Sequence, residues 1–92
     1  MAKSTQAARL AEAGYDDVVI LDDPSYDTAL IGVVTDASGN DHAVYDYDKM
    51  ILGLLDDGVE SVDDAVEWIE YNTIRALPYA PGPEPYILHS VQ

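Results

Sequence analysis

The segment S-V-D-D-A-V-E-W-I-E-Y-N-T-I-R-A-L-P-Y, residues 61–79, has the longest helical periodicity in this 92-residue chain. At about 100° per residue, it gathers apolar and small side chains in one stripe and leaves its acidic side chains outside that stripe. The stripe contains Val62, Ala65, Val66, Ile69, Thr73, Ala76 and Leu77. Ser61 is a favourable N-cap and Pro78 a strong stop. The pattern therefore predicts a helix whose apolar stripe packs against the core of the domain.

A second helix is predicted immediately before this segment. Asp48 is a favourable N-cap for residues 48–57, and Gly58 suits the left-handed conformation that ends many helices. The link that follows is so short that the two helices should form an antiparallel or crossed pair. A third, shorter helix is expected over residues 4–13, capped by Ser or Thr at its start and ended at Gly14.

The remaining apolar runs predict strands. Residues 18–21 form a β-branched run that is typical of a buried strand, and residues 29–35 and 42–47 predict an antiparallel hairpin joined by a turn-rich loop. After the proline-rich residues 79–85, residues 86–91 predict a last strand at the edge of this meander. We therefore expect one α+β domain over the whole chain, in the order α-β-β-β-α-α-β. Its three- or four-stranded, mainly antiparallel sheet should carry the helix pair on one face.

Charge is the strongest signal in the composition. Eighteen acidic residues against four Lys and Arg residues give a formal net charge of -14, and Lys49 is the only Lys or Arg between Leu10 and Ile74. Such a field repels nucleic acids and anionic membranes, and it attracts basic protein surfaces. The sequence therefore predicts a basic, nucleic-acid-binding protein as partner, with no direct binding to nucleic acid or membrane.

Composition also restricts the compartment. Cysteine is absent, which excludes disulfide bonds and thiolate metal sites and is compatible with a reducing cytosol. No apolar run approaches the roughly 18 to 20 residues that cross a bilayer. The first 14 residues are amphipathic and Ala-rich, without the apolar centre of a signal peptide. We therefore expect a cytoplasmic protein.

The densest group of acids marks the candidate binding site. Seven carboxylates fall within residues 56–70, and an aromatic and an aliphatic residue follow them. The predicted partner-binding residues are Asp56, Asp57, Glu60, Asp63, Asp64, Glu67, Glu70, Tyr71 and Ile74. Spaced along a helix, these acids would meet Lys and Arg side chains that otherwise hold phosphates. Two alternatives remain: a solvated surface that keeps a small domain soluble, and the general acidity of a proteome adapted to high salt.

Trp68, Tyr71, Asn72 and Arg75 lie beside the apolar stripe of residues 61–79. They would form an aromatic and Arg anchor if exposed, as in many protein interfaces. The alternative is that Trp68 covers the margin of the core while Tyr71 stacks with Arg75 one turn later. Ile74 falls on the acidic side, so it is either covered by another element or forms an apolar spot there.

No motif of catalysis or metal binding is present. The chain lacks a G-x-S-x-G elbow, a P-loop and an H-E-x-x-H helix, so we expect no catalytic residues, no cofactor and no metal site. The stretch from Asp36 to Asn40 resembles the start of a calcium loop, but Asp41 replaces the required glycine. His42 and His89 fall on different predicted strands. A weak, metal-dependent hydrolase is the remaining enzymatic alternative.

Two segments carry a resemblance. Residues 45–50, Y-D-Y-D-K-M, and residues 70–79, E-Y-N-T-I-R-A-L-P-Y, resemble shared segments of short, uncharacterised acidic proteins of anaerobic Gram-positive bacteria. These proteins are often carried on prophages and other mobile elements, and the resemblance extends from about Tyr15 to the end. It implies no particular activity, but it favours a mobile-element role. Small acidic proteins of that origin that resemble DNA in charge include inhibitors of CRISPR effectors and restriction enzymes.

These observations favour a non-enzymatic, acidic protein-binding module, such as a DNA-mimicking inhibitor. The alternative is a structural or assembly module that pairs with itself or a neighbouring protein. In that case Tyr79, Tyr86 and the last strand would form the contact by strand addition.

Overall fold

The computed structural model describes residues 6–91. It contains three α-helices, three strands and two 3-10 helices in this part of the chain. In chain order these are α1 (Gln6–Glu12), a first 3-10 helix (Pro24–Ala29), β1 (Leu30–Thr35), β2 (Asp41–Asp46), α2 (Tyr47–Asp56), α3 (Val62–Asn72), a second 3-10 helix (Ile74–Tyr79) and β3 (Tyr86–Leu88). The predicted α+β class is confirmed. The predicted caps Ser4 and Thr5 lie outside the described residues.

The sheet has the strand order β1-β2-β3. β1 and β2 form the predicted antiparallel hairpin, with a register shift between Leu30 and Gly32. β3 joins the free edge of β2, as predicted for the last strand, and it runs parallel to β2. The sheet is therefore mixed, with β2 in its centre.

The prediction of a strand over residues 18–21 is wrong. This run is irregular in the structure, although Val18, Ile20 and Leu21 are half-buried and pack against the core. Side chains satisfy the backbone here: the Leu21 N–H donates to the Tyr45 hydroxyl at 2.9 Å, and the Gln6 side-chain amide donates to the Leu21 carbonyl at 2.8 Å. With these partners the backbone polar groups of Leu21 are satisfied without a neighbouring strand.

The two long helices differ from the prediction at one end each. α2 begins two residues early because Asp46, not Asp48, is its N-cap. α3 begins as predicted, with the Ser61 hydroxyl accepting from a backbone N–H at 3.1 Å. Its α-helical part ends at Asn72, and a 3-10 helix continues the chain. Pro78 explains this, since its ring would clash with a carbonyl four residues earlier in an α-helix.

The core combines residues from α1, the first 3-10 helix, the hairpin and the helix pair. It consists of Leu10, Tyr26, Ala29, Leu30, Ala43, Tyr45, Met50, Leu54, Ala65 and Ile69. The predicted stripe of α3 is thus correct at its centre. It is wrong at Val62, which is exposed at the start of α3, and at Ala76, which is exposed in the second 3-10 helix, where the period of an α-helix no longer applies.

His42 fastens the C-terminal segment to the hairpin. Its Nδ1 lies 2.8 Å from the Glu84 carbonyl oxygen, its Nε2 lies 2.8 Å from a carboxylate oxygen of Asp36, and its ring stacks on Tyr86 at 4.1 Å. Both ring nitrogens thus face acceptors, which only the protonated imidazolium satisfies fully. The hydrogen bond that His42 donates to Asp36, helped by the one to the Glu84 carbonyl, raises the pKa of His42.

Candidate protein-binding site

The solvent side of α3 gathers most of the predicted binding residues. Its first three turns line a shallow concavity together with Arg75. We call the acidic helix face the set Asp63, Asp64, Glu67, Glu70 and Tyr71, all of which are exposed. The arrangement follows from helical geometry, because residues three and four positions apart lie on the same side of a helix.

Four other predicted residues lie apart from this face. Asp56, Asp57 and Glu60 are exposed at the end of α2 and in the link that follows. The Asp57 carboxylate accepts a hydrogen bond from the Ser25 hydroxyl, which gives it a structural role between α2 and the first 3-10 helix. Ile74 is half-buried and packs against the core. The predicted binding residues therefore do not form one surface. Those on α3 lie together on one face, whereas the other four lie elsewhere.

The acidic helix face is not neutralised from within the described chain. Between residues 6 and 91, the ion pair found within 4.0 Å joins His42 to Asp36, away from α3. Arg9 donates instead to the backbone carbonyls of Asp27 and Leu30, at 2.6 and 3.0 Å. Arg75 lies over the Tyr71 ring, with its guanidinium carbon 5.3 Å from the ring centre. The carboxylates of the face are thus available to an external base.

An apolar cleft lies next to the acidic helix face. Its volume is about 320 Å³, and we call it the Trp68 cleft. It is lined by Val19, Ile20, Leu21, Asp22, Asp23, Tyr26, Trp68, Asn72, Thr73, Ala76, Leu77, Ala80, Pro81 and Pro85. Sequence reasoning missed this cleft because it assigned residues 18–21 to a sheet. The one signal was Trp68 itself, on the flank of the helical stripe.

The wall of the Trp68 cleft is a fixed part of the fold. The Tyr26 hydroxyl and the Thr73 hydroxyl are 2.9 Å apart, and both residues are buried. Burial raises the pKa of Tyr26, while hydrogen bonding with Thr73 opposes that shift. Trp68, in contrast to these two buried residues, has 46% of its surface exposed. The cleft therefore has one wall built on a buried hydrogen bond and an exposed aromatic rim.

Two further findings bear on the predicted chemistry. Among residues 6–91, no three His, Asp or Glu side chains are grouped so that they could hold a metal ion. In the same range no helix combines the length and the apolar character required to cross a bilayer. The absence of a catalytic or cofactor site stays a prediction.

Comparisons of the chain with protein-family models, with curated proteins and with solved structures found no match. The resemblance to short acidic proteins of mobile elements therefore also stays a prediction.

Proposed function

We propose that this protein is a non-enzymatic, cytoplasmic binding module whose acidic helix face occupies a basic, nucleic-acid-binding surface of another protein. It would act as a DNA-mimicking inhibitor, for example of a CRISPR or restriction effector. The observation that carries the proposal is a helix side on which four carboxylates are exposed without an ion-pair partner among the described residues. Such a surface attracts Lys and Arg side chains over a distance that salt shortens.

The charge density of the face supports mimicry of a phosphate backbone. Asp63 and Glu70 are seven residues apart, which is about 10.5 Å along a helix axis. That span contains four carboxylates. One strand of DNA carries about three phosphates over the same length. The face thus offers a basic surface a negative charge density similar to that of its nucleic acid.

The experiment is a pull-down from a lysate of the organism that encodes the protein, at graded salt, followed by a DNA competition assay with each captured protein. The test variant combines Glu67→Gln with Glu70→Gln. The control combines Asp16→Asn with Asp17→Asn, which removes the same charge from exposed residues beside the β1–β2 loop. We expect the test variant to bind roughly two- to thirtyfold more weakly, and the control to bind like the wild type.

Three outcomes would contradict the proposal. The captured protein could bind no nucleic acid, its retention could be independent of salt, or both variants could lose affinity equally. Equal loss would mean that only net charge matters, not the face on α3.

Self-association through β3 is the second candidate function. β3 is an edge strand, and Tyr86 and Leu88 expose 38% and 45% of their surfaces. Its three residues offer few backbone groups, and short edge strands are a common protection against pairing. Light scattering separates the two functions, since a salt-independent dimer favours self-association and a monomer favours the inhibitor.

A further inference from the structure

We infer that the Trp68 cleft receives one apolar anchor side chain of the partner, from a segment in which Lys or Arg residues flank that anchor. This inference rests on the proposed function and specifies the chemistry of the bound segment. Three features of the molecule support it: the continuity of the cleft with the acidic helix face, the charge around its rim and its size.

The cleft adjoins the acidic helix face along α3. Trp68 and Asn72 line the cleft, and on their other side they meet Asp64, Glu67 and Tyr71 along the same helix. A segment that lies on the carboxylates of α3 therefore passes the mouth of the cleft. Trp68, which is 46% exposed there, is the type of residue that dominates the binding energy of interfaces.

The rim of the cleft is acidic on both sides of its apolar centre. Asp22 and Asp23 line it on the side of the irregular segment, and Asp64 and Glu67 follow beyond Trp68. Neither Asp22 nor Asp23 has an ion-pair partner among residues 6–91. An anchor inside the cleft would thus have negative charge before and after it. The complementary segment carries basic residues on each side of the anchor.

The cleft has room for a large apolar side chain. Its volume of about 320 Å³ is at the lower end of the range for small-molecule sites, which extends to about 1,000 Å³. Leu77, Ala80 and Pro81 make one side of the cleft apolar. Burial of a Leu-sized side chain there would add to the affinity that the charges provide.

Two synthetic peptides test the inference: KKLLKK, with an apolar centre, and KKSSKK, with the same charge and a polar centre. Trp68 is the single tryptophan of the chain, so its fluorescence reports on the mouth of the cleft directly. We expect KKLLKK to bind about tenfold or more tightly than KKSSKK. It should also shift the Trp68 emission to shorter wavelength, and this measurement requires no variant.

Two variants locate the effect. Ala76→Leu narrows the cleft and should bring the ratio of the two affinities closer to one, whereas Ala11→Leu adds the same side chain to an exposed site on α1 and should not change the ratio. The combined change Glu67→Gln and Glu70→Gln should weaken both peptides and preserve the ratio. Denaturation midpoints confirm that each variant is folded.

The outcomes distinguish this inference from the proposed function. Equal affinities that fall together when Glu67 and Glu70 are neutralised would overturn the anchor and leave the acidic interface standing. If KKLLKK bound more tightly than KKSSKK at every salt concentration, and if neither salt nor these two substitutions changed its affinity, the acidic interface would be overturned. The cleft would then remain as an apolar binding site. No binding of either peptide at low salt would overturn both. A dimer of the protein that Ala76→Leu dissociates would assign the cleft to a second copy and overturn the inference.

Discussion

Gly53 lies inside α2, where glycine normally weakens a helix by about 0.5–1 kcal/mol relative to alanine. Replacement by alanine should nevertheless destabilise this protein. The α2 backbone approaches the first 3-10 helix so closely that a Cβ on Gly53 would lie 3.0 Å from the Ser25 carbonyl carbon and nearer still to its oxygen. Ordinary contacts of a Cβ begin at 3.4 Å. Since the obstacle is backbone, α2 and the 3-10 helix must separate to admit the methyl group.

The expected magnitude follows from two opposing effects. Overpacking of a well-filled interior costs about 1–3 kcal/mol, and an obstacle made of backbone belongs at the upper end of that range. The better helix propensity of alanine offsets up to about 1 kcal/mol. The net loss is about 2 kcal/mol of unfolding free energy, which lowers the Tm of a domain this small by roughly 8–16 °C.

Urea denaturation and thermal melting measure this loss. The control is Gly32→Ala in β1, where a new Cβ meets nothing within 4 Å and should leave stability unchanged or slightly raised. If Gly53→Ala were as stable as the wild type, or more stable, the close approach of α2 to Ser25 would be refuted as a fixed feature of the fold.

Three further predictions concern stability. His42 has a raised pKa and Asp36 a pKa lowered to about 2, both chiefly through their shared hydrogen bond. The stabilisation of the fold by this pair is therefore complete between the ordinary pKa values of the two groups, 3.8 for Asp36 and 6.5 for His42. It is lost as pH rises through the raised pKa of His42, and also as pH falls toward the lowered pKa of Asp36. Urea titrations of the wild type and of His42→Gln measure this contribution as the difference between their unfolding free energies. The difference should decrease from about pH 6 to about pH 9. A difference that does not change with pH would contradict the pairing. Ser61→Ala removes the cap of α3 and should cost about 1 kcal/mol in the same assay, so an unchanged midpoint would exclude the cap. Ile69→Ala should cost about 2–5 kcal/mol because Ile69 is fully buried, whereas exposed Val62→Ala should change stability by less than about 0.5 kcal/mol; similar losses would contradict the orientation of α3.

The acidic helix face could be predicted from sequence because its residues belong to one helix. Periodicity alone places Asp63, Glu67 and Glu70 on one side of α3, and the structure agrees. The position of Asp57 and Ile74 could not be predicted in this way. Asp57 interacts with Ser25, 32 positions away, and Ile74 turns toward the core where the α-helix gives way to a 3-10 helix.

The amino-acid sequence by itself determined the α+β class, the hairpin, the cap of α3 and the large negative charge, because each depends on composition or on residues a few positions apart. Only the tertiary structure decided that residues 18–21 stay irregular and that an apolar cleft opens beside Trp68. The physical reason is the distance along the chain between the groups that interact. Leu21 is held by Tyr45, 24 positions later, and Tyr45 in turn by Gln6, 39 positions earlier. Local periodicity contains no information about such partners, and with the backbone of Leu21 held by them, the side chains of Val19, Ile20 and Leu21 line a cleft.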